Sequence, residues 1–225
     1  AFQPVFVDGR RVAITASIVH HVDVGGGSPG SYFAGATEVY QEGLRIPPVK
    51  LVENGVTNEA VIGIIRRNSR EPDKIGGDIH AQLACLEVGA QAIRRMVGRY
   101  GVDAVVDAMA AILDQSEEAM KTVLRDLPDG VFWFTDLVDD DGQKAVDLEV
   151  VAEVTIKGDH CTVDLSESAD QAPGPVNCTL NMAKSGVYCA LLSLGEGAVM
   201  ANSGAYRPIE VVSRPGSITN CRMPA

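Results

Sequence analysis

The apolar positions in the first third of the chain form short runs separated by glycine-rich stretches. Val5–Val7 and Val12–Val19 read as strands, and Asp8-Gly9 between them is a dipeptide typical of tight β-hairpins. The second strand leads directly into His20-His21-Val22-Asp23. The stretch Gly25–Ser31 that follows contains four glycines and a proline, so it is predicted to be a loop.

The apolar period changes at Ile79. From Ile79 to Val97, apolar residues recur at spacings of four and three, which is the pattern of one face of an amphipathic helix. Gly101 is predicted to end this helix. A second stripe of the same period runs from Val102 to Val123. Two long helices on either side of one glycine suggest an antiparallel αα-hairpin.

The strand pattern returns after Pro128-Asp129-Gly130. Three runs, Val131–Leu137, Leu148–Lys157 and Cys161–Leu165, are separated by turn residues and predict an antiparallel β-meander. A further helix is predicted over Leu180–Leu194.

These elements define an α+β protein with three successive parts. We predict a strand-rich, glycine-containing N-terminal part over residues 1–74, a long αα-hairpin over 75–127, and an antiparallel β-meander with a helix over 128–225. No closing element is recognisable near Arg222-Met223-Pro224-Ala225. The parts are therefore expected to form one continuous portion of a larger subunit.

Composition limits the classes of function. The 225 residues are 46% hydrophobic and 22% charged, and the formal net charge is −11. This negative charge argues against nucleic acid as a partner. No apolar run is long enough to span a bilayer, and no secretory signal is visible, so no membrane partner is expected. Five widely spaced cysteines without a CxxC pair favour a reducing compartment, and we expect a cytoplasmic protein.

The segment from His20 to Asp23 holds the densest group of metal- or proton-competent side chains. On a strand, His21 and Asp23 would share one face and His20 would point to the other. If the strand has already ended, His20 and Asp23 could converge on a divalent cation such as Zn or Mn. An imidazole that only satisfies nearby backbone groups is the structural alternative.

Three further stretches hold candidate site residues. The glycine loop could bring backbone N–H groups close to an oxyanion, although it matches neither the P-loop nor the GxGxxG pattern. Glu38, Glu42 and Arg45 place charges in an otherwise apolar stretch, as general acids or bases or as a solvated turn. Asn68, Arg70, Asp78, His80 and Gln82 bracket the predicted start of the first long helix, where Asp78 is read as a helix cap or first-turn acid. The run Asp139–Gly142 is interpreted as a hairpin turn rather than a calcium loop.

An ordered set of motifs resembles one known family. The set begins with His20-His21-Val22-Asp23-Val24-Gly25-Gly26, Pro29-Gly30-Ser31 and Tyr40–Lys50. It continues with Asn68-x-Arg70-x-Pro72, Gly77-Asp78-x-x-Ala81-Gln82, Pro128-Asp129-Gly130, Val163-Asp164 and Gly174-Pro175-x-Asn177, and ends with Asn202-x-Gly204 and Arg207-Pro208-Ile209. In this order the motifs resemble the hydantoinase B/oxoprolinase family over almost the whole chain.

The resemblance implies an enzyme subunit that opens cyclic amides in a hetero-oligomer. Its expected partner is a hydantoinase A-type ATP-binding subunit, which would hold ATP and phosphorylate the amide oxygen of a small-molecule substrate such as a hydantoin or 5-oxoproline. The present subunit would then support attack of water on the activated carbon. Under this reading the catalytic residues are His21, Asp23, Glu42 and Arg45, with Arg45 holding the phosphoryl group or an oxyanion.

The same reading assigns substrate binding to Gly26, Ser28, Asn68 and Asp78, and a metal to His20 and Asp23. Related carboxylases that act on ketones such as acetone or acetophenone can carry a metal on a His-x-x-Asp segment with a further histidine. Arg45 stands in the stretch where that histidine is expected. This difference favours cyclic-amide hydrolysis over carboxylation. A non-catalytic subunit that only scaffolds an ATP-binding partner is the alternative from another class.

Overall fold

The computed structural model describes residues 1–225, which form two compact units. The first unit comprises Ala1–Phe33 and Tyr40–Ala108, and the second comprises Ala34–Val39 and Met109–Ala225. Both units contain helices as well as strands, so the predicted α+β class is confirmed. None of the helices combines the length and apolarity that a membrane-spanning helix requires.

The first unit opens with the predicted hairpin. Strands β1 (Phe2–Val7) and β2 (Arg10–Ala16) pair in antiparallel register. Asp8 and Gly9 connect them with φ values of 48° and 76°, the left-handed conformation that this type of hairpin turn requires. Strand β2 ends at Ala16 instead of continuing to Val19 as predicted. The histidine segment therefore lies outside regular structure.

A short helix that the periodicity did not reveal follows a small hairpin, β3 (Val52–Glu53) and β4 (Val56–Thr57). This helix, α1 (Glu59–Arg67), begins where the Asn58 side chain accepts a hydrogen bond from the Val61 N–H at 3.3 Å. It buries Ile62 in a small apolar cluster with residues of the next helix.

Helix α2 (Pro72–Tyr100) begins seven residues earlier than the stripe at Ile79 predicted. Pro72 occupies the first turn, where its fixed φ is favourable and its missing N–H has no cost, and Asp73 supplies the first-turn acid. Asp78 lies well inside the helix. The interpretation of Asp78 as a cap is therefore wrong, because the glycine pair Gly76-Gly77 concealed the helical pattern before it.

The two long helices are consecutive, with Gly101 between them as predicted. Gly101 has a φ of 85°, and α3 (Val102–Arg125) starts at the next residue. Helix α2 buries Leu86 and Ala90 in the first unit. Helix α3 begins in the first unit and continues into the second, where Met120 and Leu124 are fully buried. The two helices thus contribute to different cores.

The second unit contains the predicted meander. Strands β5 (Gly130–Asp140), β6 (Val146–Lys157) and β7 (His160–Asp164) are antiparallel neighbours, and β8 (Ile209–Val212) adds to β7 in parallel. Helix α4 spans Leu180–Leu194, the bounds predicted from the sequence. The main core of this unit joins the sheet to α3 and α4 through these residues: Met120, Leu124, Ile156, Cys161, Val163, Leu165, Leu191, Val199, Ala205, Ile209 and Val211.

The loop between β5 and β6 is the hairpin turn predicted for Asp139–Gly142. Asp141 is 1% exposed and its Oδ1 accepts hydrogen bonds from the N–H groups of Gln143, Lys144 and Ala145, each at 2.9 Å. Its Oδ2 accepts a fourth from Gly174. Burial raises the pKa of Asp141, but the four backbone donors together lower this pKa by more than burial raises it, so the net shift is downward. The carboxylate holds the turn together.

Candidate functional site

Asp23 is the centre of a hydrogen-bond network in the first unit. Its carboxylate is 2% exposed, and Oδ1 accepts from the N–H groups of Gly25 at 3.0 Å and Arg70 at 2.9 Å. Oδ2 accepts from the Gly30 N–H and from the Arg70 guanidinium, both at 2.9 Å. The Arg70 N–H bond lowers the pKa of Asp23 most. The other three donors add to it and outweigh the opposing effect of burial, so the pKa lies far below its ordinary value.

Arg70 extends this network along the glycine loop. Besides Asp23, its guanidinium donates to the backbone carbonyls of Gly25, Gly26 and Ser28 at 3.3, 2.8 and 2.9 Å. Both terminal nitrogens of the guanidinium thus donate to protein oxygens. We use the term Asp23–Arg70 clamp for Asp23, Arg70 and the loop Val24–Ser31, which these two residues bind.

The turn between α1 and α2 positions Arg70. Asn68 ends α1, and its side-chain amide donates to the Ile64 carbonyl at 2.8 Å. Ser69 then donates from its hydroxyl to the backbone carbonyl of Asp23 at 2.8 Å, and Pro72 starts α2. Four residues between the two helices therefore bring Arg70 against a segment 47 positions earlier.

Glycine is required in the loop because neighbouring backbone lies very close. Gly25 and Gly26 have φ values of 91° and 83°. A Cβ on Gly25 would lie 2.7 Å from the Asn68 carbonyl oxygen, and one on Gly26 would lie 2.7 Å from that of Gln41. The predicted loop is confirmed, and its glycines allow three chain segments to meet.

An open cleft of about 680 Å³ lies beside the clamp in the first unit. Its walls come from the glycine loop, from the stretch after the 3₁₀ turn Val39–Gln41, and from the α1–α2 turn. They include three arginines and no carboxylate. The lining residues are Val24, Gly25, Gly26, Tyr40, Gly43, Leu44, Arg45, Arg67, Asn68, Ser69 and Arg70.

Two of the three arginines carry charge that the chain does not neutralise. Arg45 lies over the Tyr40 ring at 5.2 Å and Arg67 is exposed at the end of α1. Neither takes part in a salt bridge. The salt bridges within the first unit involve the basic residues Arg10, His21, Lys50, Arg66, Arg70, Lys74 and Arg94. In a chain of net charge −11, this cleft is a local positive site suited to an anion, and we call it the cationic cleft.

His21 belongs to a second, smaller pocket of about 270 Å³. Its Nδ1 lies 3.3 Å from Oδ2 of Asp78, so a carboxylate on α2 orients the imidazole. The rest of the wall is mostly aliphatic. Val24 and Leu44 line both this pocket and the cationic cleft, so the two cavities share a wall.

The structure brings together only part of the predicted site. Gly26, Arg45 and Asn68 line the cationic cleft. Glu42 is exposed and does not line it. The Ser28 hydroxyl donates to the Tyr32 carbonyl, and the Ser28 carbonyl accepts from the Arg70 guanidinium. Ser28 is therefore part of the clamp.

The predicted roles of Asp23 as a base and a metal ligand are not favoured. Each of its oxygens already accepts two hydrogen bonds, one of them from a guanidinium, and a carboxylate with so low a pKa is a poor proton acceptor. His20 is exposed, and no three His, Cys, Asp or Glu side chains of the chain group in a way that could hold a metal ion. The Zn or Mn site predicted on His20 and Asp23 therefore does not fit these residues.

Arg67 lines the cleft but was not singled out from the sequence, where it forms the basic pair Arg66-Arg67. Arg70 was singled out only as one of the polar residues near a helix start, without its role in the clamp. Their importance depends on a turn between two helices, one of which the apolar pattern did not reveal.

The comparisons with known proteins establish the family. The Hydantoinase B/oxoprolinase family model matches residues 1–225, and the chain belongs to this family. It is 36% identical over its whole length to the caprolactamase subunit beta of Pseudomonas jessenii, of which it covers 39%. The crystal structure of ATP-dependent caprolactamase from the same organism superimposes with a TM-score of 0.90 at 34% identity, over 100% of this chain and 39% of that one.

The names of two other relatives state different activities. A 5-oxoprolinase of Dictyostelium discoideum is 29% identical over 224 residues, which are 96% of this chain and 17% of the relative. The acetophenone carboxylase delta subunit of Aromatoleum aromaticum is 29% identical over 176 residues, which are 77% of this chain and 26% of that subunit. The family thus includes hydrolases of cyclic amides as well as a carboxylase subunit.

Proposed function

We propose that this chain is part of a subunit of an ATP-dependent cyclic amide hydrolase, working in the cytoplasm with a hydantoinase A-type ATP-binding partner. The observation that carries the proposal is the cationic cleft, with Arg45 and Arg67 unpaired and no carboxylate in its wall. An amide that the partner has phosphorylated carries a dianionic group, and guanidinium forks bind phosphoryl oxygens well.

Hydrolysis then requires a base close to the activated carbon. We assign this role to His21, since Asp78 orients its Nδ1 and leaves Nε2 for proton transfer. Water adds to the carbon of the phosphorylated amide and gives its proton to His21. His21 passes this proton to the ring nitrogen, and the proton of the added hydroxyl follows as the C–N bond breaks, so the nitrogen leaves as an amine and an acyl phosphate remains. A second water then hydrolyses the acyl phosphate to the carboxylic acid and inorganic phosphate.

Arg70 and Asp23 support this chemistry without contacting the reacting atoms. Their clamp fixes the backbone of Gly25 and Gly26 at one wall of the cleft. A rigid wall keeps the arginines and the loop at fixed separation, which is what positioning of a substrate requires.

The experiment is reconstitution of the full-length subunit with its A-type partner. Cyclic amides are supplied with ATP, and products are identified by mass spectrometry in parallel with ADP release. The proposal expects ring-opened amino acids in amounts that match the ADP formed. In a parallel assay, ketones and ¹³C-bicarbonate are supplied instead. If only this mixture gives product, and the product carries ¹³C, the subunit is a carboxylase component and the proposal is wrong.

Scaffolding is tested in the same system. His21→Gln and Arg67→Ala should abolish or weaken turnover while the complex keeps its mass in size-exclusion chromatography. Loss of assembly with unchanged specific activity of the remaining complex would instead support a subunit that only holds its partner.

A further inference from the structure

Strand β5 leaves one edge of the four-stranded sheet of the second unit without a neighbour. The strand order is β5-β6-β7-β8, so the backbone groups that β5 turns away from β6 face no other strand. With eleven residues, β5 is much longer than β8, the four-residue strand at the other edge. Proteins usually keep edge strands short or protect them with lysine, proline or a bulge, because an open edge pairs readily with another strand. Strand β5 contains neither lysine nor proline, and its register with β6 shows no bulge.

Two aromatic side chains of β5 lie on the face of the sheet that forms the core of this unit. Phe132 is opposite Val154 and Phe134 is opposite Ala152 in the antiparallel register, and directly opposite residues share a face. Val154 and Ala152 pack against the buried core cluster. Phe132 and Phe134 are nevertheless 46% and 69% exposed. The core therefore reaches β6 and does not cover β5.

The opposite face of β5 is apolar as well. Val131, Trp133 and Leu137 point to this face, because side chains alternate along a strand, and all three are exposed. Strand β5 is thus apolar on both faces and open along one edge. Single exposed apolar residues are ordinary, but a contiguous apolar strand that is open on three sides marks a surface that another segment covers.

The length of the relatives and the position of the aromatic residues favour the subunit's own chain as this segment. The 225 residues account for 39% of the caprolactamase subunit beta that they match over their whole length, so such a subunit has more chain outside this portion than inside it. Phe132 and Phe134 extend a face that is already the core of the second unit. A separate partner would leave both faces and the edge in water until it docked, which favours aggregation.

We propose that β5 is an interior strand of the complete subunit. A strand from the part of the same polypeptide outside residues 1–225 pairs with the free edge of β5. Apolar side chains of that part cover Phe132 and Phe134 on one face and Trp133 on the other. Because both faces of β5 are apolar, the added strand is apolar on both faces too, as buried interior strands are.

Hydrogen exchange of the full-length subunit tests the pairing without any substitution. In an antiparallel edge strand about half of the amide groups are hydrogen-bonded to a neighbour, whereas in an interior strand nearly all are. Exchange followed by mass spectrometry should therefore protect the β5 amides as completely as those of β6, which has a neighbour on each side. The proposal expects this protection in the isolated subunit. Fast exchange of half of the β5 amides, or protection gained only when the ATP-binding partner is added, would overturn it.

Photo-crosslinking identifies the covering segment. The photoreactive amino acid p-benzoylphenylalanine replaces Phe134 in the full-length subunit, and the same replacement of Tyr32, which is 86% exposed in the first unit, is the control. After irradiation, mass spectrometry should find position 134 joined to a peptide outside residues 1–225 in a product with the mass of one subunit. The control should not join to that peptide.

The other outcomes overturn the proposal. A product that contains the ATP-binding partner would assign β5 to that interface, and a product with twice the mass of the subunit would assign it to a second copy. The absence of any crosslink at position 134, or the same distant peptide at both positions, would show that nothing specific covers the strand. None of these measurements depends on turnover, so their outcome is separate from that of the proposed function.

Discussion

Arg70 holds Asp23 with two different groups at once: its backbone N–H donates to Oδ1 and its guanidinium donates to Oδ2, both at 2.9 Å. A residue that uses both main chain and side chain on the same carboxylate fixes the partner in position and in orientation. Because the carboxylate is buried and also accepts from Gly25 and Gly30, it organises the glycine loop at the wall of the cleft.

Asp23→Asn should destabilise the first unit by roughly 3 kcal/mol, since it leaves the Arg70 guanidinium without its counter-charge and turns an amide NH₂ toward existing donors. Urea unfolding followed by circular dichroism measures the change. Asp78→Asn, at a side chain that is 42% exposed, is the control and should cost far less. Equal effects of the two variants would contradict the structural role assigned to Asp23.

The same carboxylate predicts how the loop responds to acid. Its folded pKa is lower than its unfolded value of about 3.9, so its contribution to stability is complete above that value and is lost as the pH falls toward the folded pKa. The hydrogen-exchange protection factors of residues 24–31, which correct for the intrinsic pH dependence of exchange, should therefore fall below about pH 4. In Asp23→Asn these protection factors should be low at all pH values, and a wild-type profile in that variant would refute the assignment. The single tryptophan, Trp133, lies in the second unit and is not a suitable reporter.

Gly26→Ala should be much more damaging than Gly9→Ala. Both glycines have positive φ, so each substitution costs about 1–2 kcal/mol for the left-handed conformation. A Cβ meets nothing within 4 Å at Gly9, whereas at Gly26 it lies 2.7 Å from the Gln41 carbonyl oxygen, so only there must the backbone move. Thermal unfolding of the two variants measures the difference, and a similar loss in both would show that the three segments do not meet as described.

His21→Gln should lower kcat of the assembled complex by roughly 10²–10⁴-fold, the usual contribution of a positioned acid–base group. His20→Gln should leave kcat nearly unchanged, because His20 is exposed and joins no group of potential metal ligands. The reverse order of effects would favour a metal site on His20. Adding Zn²⁺ or Mn²⁺ to each variant tests that outcome directly.

Arg67→Ala should weaken retention of the phosphorylated substrate, seen as a KM increase of about tenfold or more and as weaker inhibition by inorganic pyrophosphate. Arg66→Ala is the matched control on the same helix, because Arg66 is paired with Asp73 and does not line the cleft. Equal effects would mean that general charge, and not the cleft, attracts the anion.

Much of the fold could be predicted because its signals are local. The Asp8-Gly9 turn, the meander and the bounds of α4 follow from turn residues and from apolar periods within a few positions. Helix α1 and the start of α2 could not be predicted in this way, since glycines interrupt the apolar pattern at Gly63 and at Gly76-Gly77.

The candidate site was predictable in its location but not in its division of roles. The His20–Asp23 segment and the glycine loop were singled out from the sequence, and in the structure Asp23 and the loop are joined by hydrogen bonds. Whether a carboxylate acts as a base or as an internal anchor depends on what surrounds it, and the Asp23 partner is 47 positions away. No periodicity in the sequence contains that information.

The separation of Asp23 and Arg70 along the chain has a consequence for the order of folding. The clamp depends on α1 and the first turn of α2, because the Arg70 backbone N–H is presented by the turn that joins them. Closing a long segment costs entropy before any contact compensates for it. We expect the hairpin and helices to form early and the glycine-loop wall of the cleft to form last, so the molecule would be compact before its cleft is complete.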